Sequence, residues 1–321
     1  MVAFGVDGGA PETVQRPRTA STVRLHRLKG FTMVLVGAVL WGVSGTAAQV
    51  LFHRDGFQPG WLVTVRMSAA GFVLLAFVAV QQGLARTLAI WRHGRDAVKI
   101  GIFGLGGLLG VQYTYFASIQ RGNAAVGTML RYLGPLFITV YLAWRQRRLP
   151  TRPQIAAVSL ALVGAALLIT NGNLQGLTVS PWAVFWGLLS ALALAFYSLY
   201  PQGLIVQYGA ATVVGWAMLV GGLGMSVIAP PWAFVGQTSI AAWGLVAFVV
   251  LLGTLVAFYL YIASLQYISP AEAGVLTSGE PLSAALIAVT VLHVRMGWVG
   301  MIGAICIVST VTVLASMRPD V

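Results

Sequence analysis

Apolar residues in this chain neither alternate nor form one-sided stripes. They gather in long blocks separated by short polar turns. Ten blocks approach the roughly 20 residues that a helix needs to cross a bilayer: residues 31–51, 60–80, 98–119, 124–144, 154–170, 182–204, 212–229, 241–265, 270–292 and 298–317. Turn formers fill the gaps, among them Gly56-Phe57-Gln58-Pro59, Arg121-Gly122-Asn123, Asn171-Gly172-Asn173 and Ala229-Pro230-Pro231. The pattern predicts spanning helices. An outer-membrane barrel would instead show runs of about ten residues alternating in and out. Residues 1–29 are polar and read as a disordered tail, with a second short tail at 318–321.

Composition supports the membrane reading. The chain is 58% hydrophobic and 8% charged, whereas soluble domains carry about 25% charged residues. A net charge of +12 in a soluble protein would suggest nucleic acid; here its placement sets topology instead. With the N-terminus inside, 14 of the 19 Lys and Arg residues fall in cytoplasmic tails and loops. Arg54, Arg121 and Arg295 fall outside, and Arg66 and Arg131 lie within blocks. This asymmetry predicts an even number of spans with both termini cytoplasmic.

The blocks also repeat. Tyr115-Phe116-Ala117-Ser118-Ile119-Gln120 matches Tyr261-Ile262-Ala263-Ser264-Leu265-Gln266 at an offset of 146, and Pro135 meets Pro281 at the same offset. Ala38-Val39-Leu40-Trp41-Gly42 matches Ala183-Val184-Phe185-Trp186-Gly187 at an offset of 145. Five blocks separate the copies. Five is odd, so the second copy is inverted relative to the first. The fold expected is an all-α polytopic membrane protein: ten transmembrane helices in two inverted five-helix repeats, residues 30–172 and 181–317.

Ionisable residues inside a membrane are costly and mark candidate sites. Glu280 lies eleven residues past Ser269, roughly 16 Å into a core of about 30 Å. Arg131 and Arg66 lie within blocks that both start from the opposite, outer face, roughly 12 Å and 10 Å in. One deep carboxylate cannot serve two cations, so one Arg is left for backbone carbonyls, the outer interface or a substrate anion. Pro135 and Pro281 break hydrogen bonds in mid-span and are candidate hinges. The equivalent aromatics Trp41 and Trp186, and Tyr115 and Tyr261, are candidate cavity walls, with bundle packing as the plainer reading. Glu272 completes Ser269-Pro270-Ala271-Glu272, a capping box with Pro at the first helical position, and Asn123 caps the equivalent helix. Gly106 and Gly110 form a GxxxG pair suited to close packing within the bundle.

Other chemistries find little support. The single Cys306 permits no intramolecular disulfide, and His26, His53, His93 and His293 sit in tails or loops without metal-ligand spacing. No Gly-x-x-x-x-Gly-Lys occurs, so ATP drive within this chain is not expected. No cofactor, metal or nucleic acid is expected. The partners expected are the lipid bilayer, a small-molecule substrate and a proton as candidate coupling ion, in a monomer or weak dimer.

Trp41-Gly42, Arg66, the proline-centred fourth and ninth blocks, and Glu280-Pro281 followed by small residues together resemble the EamA-type branch of the drug/metabolite transporter superfamily. The resemblance covers essentially all of the chain but its tails. It implies an inverted-repeat secondary transporter of a bacterial inner membrane, working by alternating access and moving amino acids or related metabolites, with export the expected direction. Import of a choline-like or drug-like amine or carboxylate is the alternative, and a membrane-embedded enzyme a weaker one. Many members carry an acidic residue in the loop before the last span, where this chain has His293 and Arg295.

Overall fold

A computed structural model describes residues 20–147, 151–171, 179–268, 272–273, 276–293 and 297–316. Most of the predicted tails, Ser269 and Pro270 of the predicted capping box, and Arg295 lie outside them. The described residues are helical and contain no strand. In order, the principal helices are α1 (Ala20–His53), α2 (Pro59–Gln82), α3 (Gly94–Arg121), α4 (Ala124–Gln146), α5 (Arg152–Thr170), α6 (Pro181–Leu199), α7 (Ala210–Ser226), α8 (Ile240–Ala247, Phe248–Val256 and Ala257–Ser264), α9 (Gly279–Thr290) and α10 (Trp298–Ser316). Each of the ten predicted blocks overlaps one of them, the ninth only over Gly279–Thr290. Among the described residues, six helices are long and apolar enough to span a membrane. A seventh span results if Gln202–Tyr208 and α7 are counted together, although the chain bends by 119° between them. Gly209 makes that bend with a φ of 83°, a conformation open to glycine at little steric cost. The apolar stretches within α5, α9 and α10 are shorter.

The tail predicted to extend to residue 29 is shorter than expected, because α1 begins at Ala20. Its extra turns are anchored through charge and rings. Arg27 pairs with Glu272 at 2.6 Å, and Lys29 Nζ lies 4.9 Å from the centre of the Tyr267 ring.

Helix packing follows the inverted repeat. Helix α2 packs on α7 and α5 on α10; α3 and α4 both meet α6, just as α8 and α9 both meet α1. Small residues permit these approaches. A methyl group at Gly71 of α2 would stand 2.6 Å from the Leu219 backbone nitrogen on α7. One at Gly303 of α10 would stand 2.6 Å from the Gly164 carbonyl on α5. Gly106 and Gly110 face Phe196 and Ala193 of α6, so this GxxxG pair packs within the bundle. The repeat extends to a detail not expected from sequence. Both third-position helices contain a widened π-helical stretch, Phe103–Leu108 in α3 and Phe248–Val256 in α8. Their first residues stand 145 apart, the offset already seen in the Trp-Gly match.

Candidate functional site

The two proline-bearing helices are interrupted in mid-span. In α4 the Asn123 side chain accepts from Val126 N at 2.9 Å and starts the helix as predicted. A turn at Tyr132-Leu133 stops it, and it resumes at Gly134 with Pro135 in its first turn. The second half does the same: a turn at Thr277-Ser278 precedes α9, and Pro281 follows Glu280. Proline has no N–H, so Pro281 cannot bond the carbonyl four residues back, which belongs to Thr277. The Tyr132 hydroxyl, from the other repeat, donates to that carbonyl at 2.6 Å. The break thus becomes a tie between the halves, with the Thr277 carbonyl accepting from both the Glu280 backbone N–H, at 2.9 Å, and the Tyr132 hydroxyl.

Charge gathers at this tie. Glu280 is 6% exposed. Arg131 Nη2 donates to its Oε1, and the Tyr132 hydroxyl lies 3.3 Å from its Oε2. The Arg131 guanidinium also lies 4.1 Å from the centre of the Tyr115 ring. The Tyr115 hydroxyl is held by Thr128 Oγ1 at 2.9 Å. Arg66 on α2 is 5% exposed, with its guanidinium 5.1 Å from the centre of the Phe116 ring. Among the described residues it has no carboxylate within ion-pair distance, and its Nε is buried without an acceptor.

These groups face a cavity of about 500 Å³. Trp41, Arg66, Tyr115, Arg131, Tyr261 and Glu280, all predicted from the sequence, line it together with Pro135. Pro281 is buried within α9 beside Glu280. Trp186 is the exception: it packs edge-on against Tyr113 at 5.8 Å and Phe185 at 5.2 Å, away from the cavity. Trp41 lies against Phe258 and Tyr261 of α8, at 5.2 and 5.7 Å. At the offset of 146, Phe258 corresponds to Gln112, so α3 offers no matching ring, and Trp186 turns to Tyr113 instead. The glycines following the two tryptophans do keep equivalent seats, Gly42 against α9 and Gly187 against Leu130 of α4.

Among the wall residues that escaped the sequence reading, four carry a ring or a polar group: Ser44, Gln112, Tyr197 and Phe258. Three of them sit three positions from a residue already singled out: Trp41 and Ser44, Gln112 and Tyr115, Phe258 and Tyr261. That spacing shares a helix face and could have found them. Tyr197 had no such signal. Glu272, read as a cap, reaches Arg27 on α1; the other residues of the predicted capping box lie outside the described residues. No group of three His, Cys, Asp or Glu among the described residues is placed to hold a metal ion.

Comparison with known proteins gives this geometry a family. The EamA-like transporter family matches residues 28–170 and again residues 181–316. The chain belongs to that family. It is a multi-pass membrane protein of a transporter family. The inner membrane transporter YicL of Salmonella typhimurium is 34% identical over 290 residues, 89% of this chain and 95% of that protein. The aromatic amino acid exporter YddG of Ancylobacter novellus is 26% identical over 173 residues, 54% of this chain and 55% of that protein. A solved crystal structure with 17% identity covers 91% of this chain and 96% of its own, with a TM-score of 0.58, a likeness of fold.

Proposed function

We propose that this protein is a secondary transporter of the inner membrane that exports amino acids or closely related small metabolites by alternating access. The observation that carries the reading is the cavity itself. It lies where two inverted repeats meet, beside both helix interruptions, and combines rings with an ion pair that neither lipid nor a sealed core would favour. Its volume of about 500 Å³ suits one small solute. The name of one relative, an aromatic amino acid exporter, supports both the substrate class and the direction.

The ends of the bundle are bridged by different contacts between the halves, an arrangement that supports alternating access. At the end holding the start of α1, Arg27 meets Glu272 and Lys29 meets the Tyr267 ring. At the other end, Phe57, Trp61, Phe234 and Trp243 pack ring to ring, and Trp61 Nε1 donates to the Pro231 carbonyl at 2.8 Å. The charge asymmetry of the loops puts the first of these ends in the cytoplasm. In this reading, substrate entry loosens the Arg131–Glu280 pair, and Glu280 then takes a proton or a substrate ammonium. Pro135 and Pro281 mark the points where α4 and α9 flex. The test is efflux of radiolabelled L-phenylalanine, with an unlabelled amino-acid panel as competitors, from proteoliposomes holding the purified protein. Flux above empty liposomes, reduced by competing substrates, is the expected result. No flux of any panel member in either direction would reject the reading.

A further inference from the structure

The cavity has an unbalanced charge. Its wall carries two guanidinium groups, Arg66 and Arg131, and one carboxylate, Glu280. Trp41, Gln112, Tyr132, Tyr197 and the remaining wall residues carry no formal charge at neutral pH. Glu280 is already engaged, by Arg131 at Oε1 and by the Tyr132 hydroxyl at 3.3 Å from Oε2. Arg66 is the remainder: 5% exposed, facing the cavity, its Nε buried without an acceptor, and one face covered by the Phe116 ring at 5.1 Å.

A guanidinium in this position is costly until an anion arrives. We propose that Arg66 is the anchor for a substrate carboxylate, and that the cavity selects small monocarboxylates with an apolar, ring-sized body rather than amines. This rests on the transport reading of the same cavity and adds the chemical class that it takes.

Three features fix the class. One net positive charge is matched by one carboxylate, whereas a phosphate dianion would leave the buried site negative. A guanidinium fork offers two parallel N–H donors to the two oxygens of a carboxylate. A substrate cation meets the opposite conditions. It would add to a wall that already carries net positive charge, the Tyr115 ring is occupied by Arg131 at 4.1 Å, and Glu280 is spoken for. An amino acid therefore binds through its carboxylate, and its ammonium adds little unless it displaces Arg131.

Isothermal titration of the full-length protein in detergent tests this with three probes that share a benzyl body: L-phenylalanine, phenylacetate and 2-phenylethylamine. The expected order is binding of the first two and none of the amine. Arg66→Lys is expected to weaken carboxylate binding about tenfold or more, because an ammonium cannot reproduce the bidentate fork. Arg66→Met is expected to abolish it. Gel-filtration profiles check that both variants fold; if they do not, the probe series on the wild-type protein decides alone. Amine binding as tight as phenylacetate, or unchanged carboxylate affinity in a folded Arg66→Met, overturns the proposal. The two readings fail separately. Carboxylate binding without flux in proteoliposomes would reject transport and keep the anchor. Amine flux that survives Arg66→Met would reject the anchor and keep transport.

Discussion

Replacing Glu280 with Gln removes a charge while nearly preserving volume, which makes it the sharpest probe of the central pair. In the wild-type protein Arg131 donates to Glu280, and the two side chains are 14% and 7% exposed. Removing one partner of a buried pair leaves the other charge uncompensated and costs about 3–5 kcal/mol. The Tyr115 ring, 4.1 Å from the Arg131 guanidinium, is there with or without the carboxylate and does not change the difference. A destabilisation of about 3–5 kcal/mol follows, and the cavity then carries two guanidinium groups without a carboxylate. The double variant Glu280→Gln/Arg131→Gln removes both charges. It should regain most of the stability, since exchanging a whole buried pair for neutral groups is often close to neutral. Transport should not return in the double variant, because Glu280 can no longer exchange Arg131 for a proton or a substrate ammonium. Unfolding of detergent-purified protein, followed by intrinsic tryptophan fluorescence, reads the stability; proteoliposome flux across a pH series reads the function. A single variant as stable as wild type would show that Arg131 does not depend on Glu280. Wild-type flux at every pH would reduce Glu280 to scaffold.

Tyr132→Phe strips the Thr277 carbonyl of the hydroxyl donor that reaches it across the halves. Because the Glu280 backbone N–H also donates to that carbonyl, at 2.9 Å, a loss of about 0.5–1.5 kcal/mol is expected in the same unfolding assay, and no loss would mean that the tie between the halves adds nothing to stability. Gly42→Ala sets a methyl 2.6 Å from the Glu280 carbonyl and 2.9 Å from Ala284 N, both backbone atoms that cannot yield. It should destabilise by about 1–3 kcal/mol; a variant as stable as wild type would contradict the packing described. Arg27→Gln and Glu272→Gln break an ion pair with side chains 57% and 34% exposed, so each should cost less than about 1 kcal/mol of stability. A larger loss would show the pair to be desolvated. Reporter fusions at either terminus should be active only with a cytoplasmic reporter; a periplasmic signal would overturn the assignment of faces.

The course of the helices was legible because a bilayer demands long apolar runs and short polar turns, and the chain supplies both. The meeting of Arg131 with Glu280 was legible for a related reason: neither tolerates lipid, and the repeat aligned their helices. The wall itself was harder to read. On a soluble helix a polar face betrays the exposed side, but here lipid and bundle interior both accept Trp, Tyr and Phe. Sequence therefore could not separate Trp41, which reaches the cavity, from Trp186, which packs on Tyr113. Tyr197 escaped notice for the same reason. Tyr259 lies near Tyr261 in sequence, yet it is 57% exposed and meets Phe77 instead. The early start of α1 was hidden by its polar composition, since the contacts that hold it, Arg27 to Glu272 and Lys29 to Tyr267, are more than 200 residues apart in sequence.

The two halves share a backbone plan but not the chemistry placed upon it. At the offset that aligns Pro135 with Pro281, Glu280 corresponds to Gly134 and Arg131 to Thr277. The ion pair therefore has no twin, and rotating the molecule about its pseudo-axis does not superpose it on itself. For a carrier that alternates as proposed, this removes any requirement that its two empty states be equal in free energy. Such a carrier is free to rest unevenly between its two faces, with half-saturation at different solute concentrations on the two sides of the membrane. Such a bias cannot drive net movement by itself, because the equilibrium ratio of solute depends only on the gradients. It does set how fast each direction responds, so a protein with one charge pair between two halves related by a pseudo-two-fold rotation can act as a kinetic rectifier at a fixed thermodynamic endpoint.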